Sequence, residues 1–275
     1  MANILSKEKQ VTVIGALAEG NSIRSIERQT GVNRNTIMTL NLRVGQACQQ
    51  MMDEKIRDLN CERLEVDEIW GFIAKKQRNV TKEDSSEFGD VWTFIAIDAE
   101  SKLIPAFRVG KRDIKTATEF VDDLASRMKN RVQLSSDSLP AYVEAVTKGF
   151  GVNNVDYGQI VKSYSVEETR PERKYSPAHL VKVNKSRIIG TPKPAYISTS
   201  YVERQNLTLR HHCKRLARLT LAFSKKMESF KAAVALNFAY YNFCKIHKTI
   251  RCTPAMAAGV VPSIWTVGDL VDMVG

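Results

Sequence analysis

A chain of 275 residues fits one large domain, or a small module joined to a larger one, and is long enough to bury a substantial core. Hydrophobic residues at 43% and charged residues at 26% exclude a disordered chain, and no uninterrupted apolar run is long enough to span a bilayer. Lys and Arg outnumber Asp and Glu by 41 to 30, a net charge of +11 that favours a polyanionic partner, with nucleic acid the first choice.

The first predicted element is a helix over 7–18, where Val11, Ile14, Leu17 and Ala18 recur at helical spacing and Gly20 follows as a stop. Asn21 and Ser22 offer a cap for a short helix over 23–29 that ends before Gly31, and Asn33 or Asn35 caps a third. Helix, glycine-containing turn, helix is the helix-turn-helix pattern, whose second helix enters the major groove; a plain three-helix bundle with a solvated face shares it. Asn33, Arg34, Asn35 and Thr36 then open the recognition helix as candidate DNA-binding residues, while Ile37, Leu40 and Val44 face the core. The helix continues over 45–60 with Met51, Met52 and Ile56 on one side, so the chain divides into a helix-turn-helix module with its linker helix, 1–60, and a larger domain, 61–275.

From Cys61 the period changes. Strands are predicted over 64–73, 91–97 and 103–109, with a polar region over 75–89 and a hairpin turn over 98–102. A helix over 115–129 buries Ala117, Phe120, Val121, Leu124 and Met128, and a fourth strand over 131–134 runs into Asp137. Three strands, a helix, then a strand ending in an acid is the chain order of an RNase H-like α/β fold, a mixed central sheet flanked by helices.

That fold puts one carboxylate inside its first strand, a second at the tip of the fourth and a third on a later helix, together able to hold two metal ions. Asp67 is the first candidate, because an ionised acid in an apolar strand is costly without a compensating cation; Glu65 and Glu68 stand beside it as substitutes. Asp137 fits the second place and fits equally the N-cap of the next helix, and Asp98 is an alternative second acid. The segment 198–219 opens with caps and continues as a helix with Arg204, His211, Arg215 and Arg218 on one face, a geometry that follows a phosphate backbone. Arg210 and Lys214 join this candidate DNA-binding run, and Glu203 is its lone acid. Cys48, Cys61, Cys213, Cys244 and Cys252 are scattered and odd in number, against a disulfide framework, and the first residues lack the layout of a secretory signal, so a cytoplasmic place is expected.

Four motifs resemble the insertion-sequence-one transposases, members of the DDE transposase group. They are Val66-Asp67-Glu68-Ile69-Trp70-Gly71-Phe72, Ile97-Asp98-Ala99-Glu100-Ser101-Lys102, Ser136-Asp137-Ser138-Leu139-Pro140-Ala141-Tyr142, and the long block from Tyr201-Val202-Glu203-Arg204-Gln205-Asn206 to Phe223-Ser224-Lys225. The resemblance implies Asp67, Asp137 and Glu203 as the catalytic acids, holding two Mg²⁺ or Mn²⁺ ions through oxygen alone. It also implies cutting of element ends and transfer of the 3′-hydroxyl strand to target DNA. The implied partners are double-stranded DNA, as terminal repeats and target, and further copies of the chain assembled on it within the nucleoid.

The chain departs from the family pattern in lacking a cysteine-rich zinc-binding segment ahead of the helical module and in having Ser138 where glycine is usual. It also carries a basic insertion near 163–199 with Arg170, Arg173, Lys174, Lys182, Lys185, Arg187 and Lys193, read as a loop or hairpin that contacts DNA or as a solvated loop. Two other functions fit the same residues: a helix-turn-helix regulator with an inactive RNase H-like domain, and a metal-dependent nuclease that cuts without joining.

Overall fold

The computed structural model describes residues 5–164 and 180–274. Three helices come first: α1 (Lys7–Ala18), α2 (Ile23–Thr30) and α3 (Arg34–Lys55). The Ser22 hydroxyl accepts from the Ser25 amide at 3.2 Å to open α2, and Gly31 closes it in the left-handed region at φ 70°. Two residues later Asn33 Oδ1 accepts from the Asn35 amide at 2.9 Å and opens α3. Val13, Ile14, Ile26, Ile37, Leu40 and Val44 are buried, which forms the small helical module expected.

The strands are β1 (Arg63–Ile73), β2 (Gly89–Asp98), β3 (Phe107–Gly110), β4 (Val132–Ser136), β5 (Val155–Tyr164) and β6 (Leu180–Ile189). They lie in the order β3-β2-β1-β4-β5-β6. β1, β2 and β3 form an antiparallel meander, β4 runs parallel to β1, β5 runs parallel to β4, and β6 is antiparallel to β5. This is a mixed, RNase H-like sheet with one added edge strand, flanked by α4 (Ile114–Ser126), α5 (Pro140–Gly149), α6 (Ser200–His212) and α7 (Met227–Ala239), with short helices α8 (Pro254–Ala257) and α9 (Val267–Asp272) closing the chain.

The third strand is shorter than the sequence pattern predicts. Pro105 brings no N–H to a ladder, and at Ile104 the Asn242 side chain replaces the neighbouring strand, accepting from its N–H and donating to its carbonyl at 3.0 Å each. Among the described residues the basic insertion supplies β6, which pairs with β5 and is exposed along nearly its whole length. Arg170, Arg173 and Lys174 lie outside the described residues.

One buried core runs from Val13 to Val271. α3 crosses α7 at Gly45, where a Cβ would sit 2.2 Å from the Ala232 carbonyl oxygen, so only glycine lets the two helices approach this closely. Arg127, just past α4, is buried and donates to the carbonyls of Met52 at 3.4 Å and Ile56 at 2.9 Å, satisfying the end of α3. Among the described residues no helix is long and apolar enough to cross a membrane.

Candidate functional site

The parallel pairing of β1 with β4 sets Glu65 opposite Ser135, and just past this last paired step Asp67 on β1 and Asp137 after β4 approach each other. One carboxylate oxygen each from Asp67, Glu68 and Asp137 lies within 4.8 Å of the other two, the only such acidic trio among the described residues. Burial pushes the Asp67 carboxyl up to about 7, and the charges of Glu68, Asp137 and Glu203 act in the same direction. Glu68 is raised by burial too, then by Asp137, and Arg112 pulls it back. The Arg112 guanidinium bonds Glu68 at 2.6 Å, reaches to 4.0 Å from Asp137 and stacks 4.9 Å from the centre of the Trp92 ring. The Tyr142 hydroxyl donates to the other Glu68 oxygen at 3.2 Å.

The two alternatives for the second acid separate cleanly. Asp137 is not the cap of α5, since Leu139 holds that position; its Oδ1 accepts from the Leu139 amide at 3.0 Å in a tight turn. Asp98 is folded into its own hairpin, accepting from the Ser101 amide at 2.9 Å and from the Ser101 hydroxyl. Asp137 is thus the acid that meets Asp67.

Glu203 lies in the first turn of α6, and that turn is seated by Glu65. The cap residue of α6, Thr199, makes no side-chain cap bond; Glu65 Oε2 instead accepts from the amides of Tyr201 at 2.7 Å and Val202 at 3.1 Å. Burial raises the Glu65 carboxyl and these amides pull it back. One turn on, Asn206 Nδ2 donates to Asp67 Oδ2 at 2.8 Å. α6 is therefore stitched to β1 at two points that bracket Glu203. The Glu203 carboxylate itself stands outside the acidic trio, accepting from the Thr199 hydroxyl at 2.7 Å and ion-paired with Lys162 of β5.

Asn33, Arg34, Asn35 and Thr36 are exposed at the start of α3, with Arg34 Nε 3.5 Å from Glu27. The predicted continuous helix over 198–219 requires correction. α6 stops at His212, and a single 3-10 turn over Lys214–Leu216 leads into an open loop. Arg210 donates to the carbonyls of Leu216 at 2.9 Å and Trp70 at 3.4 Å, and Arg215 to those of Ala222 at 3.3 Å and Phe223 at 3.5 Å. Burial lowers the pKa of both guanidiniums. These two arginines fold the loop inward and share no helical face with Arg204, His211 and Arg218, which are exposed; Lys214 is half-buried.

Sequence reasoning missed Lys162, Arg112 and Asn206, each brought in by tertiary contact. Glu65 carried a signal: two residues before Asp67, it shares that side chain's face of the strand and so meets whatever covers it.

The acidic trio is a set of hard oxygen donors whose crowded charge calls for a cation, and it fits a divalent ion such as Mg²⁺ or Mn²⁺. Residues 181–243 match the family model described as IS1 transposase, which meets the resemblance read from the sequence over the stretch that carries Glu203 and supports a DNA transposase. No curated protein matches the chain. Two solved structures are similar to it at low identity. One is a piggyBac transposase synaptic complex with hairpin DNA, 9% identical at a TM-score of 0.42, covering 98% of this chain and 70% of that one. The other is a Mos1 transposase paired-end complex with the left transposon end, 11% identical at a TM-score of 0.25, covering 57% and 60%.

Proposed function

Proceeding from the IS1 transposase match, we propose that this chain cuts the ends of a DNA element and transfers the 3′-hydroxyl strand to target DNA, with Asp67, Asp137 and Glu203 as its catalytic carboxylates. The observation that carries this reading is the close approach of Asp67 and Asp137 where the β1–β4 pairing ends, beside a helix whose first turn holds Glu203. These three acids, with Glu68 beside them, would hold two Mg²⁺ or Mn²⁺ ions. When bound, such ions activate the attacking oxygen and stabilise the leaving one.

The remaining roles belong to the chain's own side chains. Asn206 fixes the rotamer of Asp67, and Arg112 with Tyr142 fixes Glu68. Arg204, His211, Lys214 and Arg218 neutralise DNA phosphates, whereas Arg210 and Arg215 shape the loop that presents them. Residues 1–60 recognise the terminal repeats through Asn33, Arg34, Asn35 and Thr36, and 61–275 carry out the chemistry, with the β5–β6 arm adding DNA contacts. Synapsis of two ends implies a dimer or higher assembly on the DNA, acting where that DNA lies, in the nucleoid.

The test is cleavage and joining on a DNA fragment carrying the element's end, with Mg²⁺ or Mn²⁺, for the wild type and Glu203→Gln. Metal-dependent joining that the variant loses supports the reading. Cutting without joining points to a nuclease, binding without cutting to a regulator, and joining that survives the substitution removes Glu203 from the site.

A further inference from the structure

Lys162 has a chemistry that the proposed reaction does not yet use. It projects from β5, 21% exposed, with its ammonium on Glu203 Oε1 and 3.2 Å from the Thr199 hydroxyl. The Thr199 hydroxyl in turn bonds the same Glu203 oxygen. The carboxylates thus fall into two groups: Asp67, Glu68 and Asp137 together, and Glu203 apart on a lysine. The backbone of Glu203 is not what separates them, because Glu65 and Asn206 pin α6 to β1 on both sides of it. With the backbone held there, rotation of the side chain is the route by which Glu203 would join the others.

That movement leaves Lys162 with a hydroxyl for company and an uncompensated charge. A half-exposed lysine–carboxylate pair is weak, so a divalent ion at Glu203 and a second anion at Lys162 displace it together. The surroundings specify that anion. Arg204 follows Glu203 on α6, and Lys185 on β6, paired with Ile160, shares the sheet face of Lys162; both are exposed, so a polyanion passing over Glu203 meets further positive charge. A compact ammonium suits a phosphate oxygen as a point charge.

Resting on the reading of Glu203 as a metal ligand, we propose that Lys162 is a phosphate-binding residue of the carboxylate site. In the DNA-free protein it is held on Glu203, and it passes to a DNA phosphate as Glu203 joins the metal ligands. Metal and DNA then strengthen each other's binding through one side chain.

Two binding measurements test this without reference to turnover. The first is Mn²⁺ affinity of the DNA-free protein by electron paramagnetic resonance, for wild type, Lys162→Met, Lys162→Arg and Glu203→Gln. Removing the competitor should tighten Mn²⁺ binding by about two- to fivefold in Lys162→Met, leave Lys162→Arg near wild type, and weaken Glu203→Gln. The second is anisotropy of a labelled random-sequence duplex with Mg²⁺ or with chelator, where Lys162→Met should weaken DNA binding in Mg²⁺ and have no effect in chelator. Lys162→Gln repeats both measurements should the methionine variant fold poorly. Unchanged or weaker Mn²⁺ binding in Lys162→Met and Lys162→Gln, with Glu203→Gln still weakened, overturns the proposal and leaves the functional reading intact. Equal losses of DNA affinity with and without Mg²⁺ overturn it as well. Wild-type Mn²⁺ affinity in Glu203→Gln removes Glu203 as a ligand, and with it the reading on which the proposal stands.

Discussion

Replacing Asp67 with asparagine isolates the electrostatic strain of the acidic trio. Burial and three neighbouring acids carry this carboxyl from an ordinary 3.8 up to about 7. Between those values the folded chain keeps a proton that the unfolded chain has lost. The metal-free protein is therefore free of the penalty below about pH 4 and loses stability as the pH climbs through about 7. At ~1.4 kcal/mol for each tenfold change in proton affinity, the loss above that window reaches about 4 kcal/mol. Asparagine keeps the shape and still accepts from Asn206, but carries no charge. In chelator at about pH 8, Asp67→Asn is expected to be more stable than wild type by up to that amount, and the two should converge near about pH 4. Glu65, also raised by burial, contributes equally to both proteins and drops out of the difference, whereas Glu68, whose charge repels that of Asp67, is relieved in the variant and adds to the gap. Urea unfolding at the two pH values measures the gap, and Mg²⁺ should restore the wild type at the higher pH while leaving the variant little changed. A variant that unfolds cooperatively yet is no more stable than wild type at about pH 8 refutes the argument.

Three further outcomes follow from particular contacts. Glu65→Ala strands the first amides of α6 and should cost about 2 kcal/mol in thermal or urea unfolding, whereas Glu65→Gln, which still offers an oxygen, should recover most of it. Gly45→Ala drives a methyl into the Ala232 carbonyl and should destabilise by roughly 3 kcal/mol, read as a lower urea midpoint with an unchanged slope. Arg204→Ala should leave stability alone, weaken DNA binding and make its salt dependence shallower by about one phosphate contact, while Arg215→Ala should lower the melting temperature instead.

The sequence was legible wherever local pattern and tertiary need agree. The helix over Lys7–Ala18 follows its apolar spacing to the residue, ending where Gly20 takes a positive φ. Asp67 lies inside β1 as its apolar neighbours imply. The meeting of Asp67 with Asp137 depends on parallel register between strands almost seventy residues apart, and no local pattern encodes it. The run of bases after Glu203 reads as one long helix because its residues tolerate a helix. It breaks at Cys213 because Arg210 and Arg215 find carbonyls that exist only once β1 and the following loop are in place. Lys162 stayed hidden for the same reason: its partner is forty-one residues away across the fold.

The glycine crossing of α3 and α7 bears on re-engineering. A reading module joined by a tether can be exchanged for another to redirect an enzyme, but here the helix that begins with Arg34 ends as part of the wall behind the sheet. An imported module would have to present glycines at positions 20 and 45, against the His211 and Ala232 carbonyls, and accept Arg127 at its last turn. On the proposed role of Asn33 to Thr36 in reading DNA, redirection is therefore easier by point substitution along that exposed edge than by transplantation, and directed libraries should be confined to it.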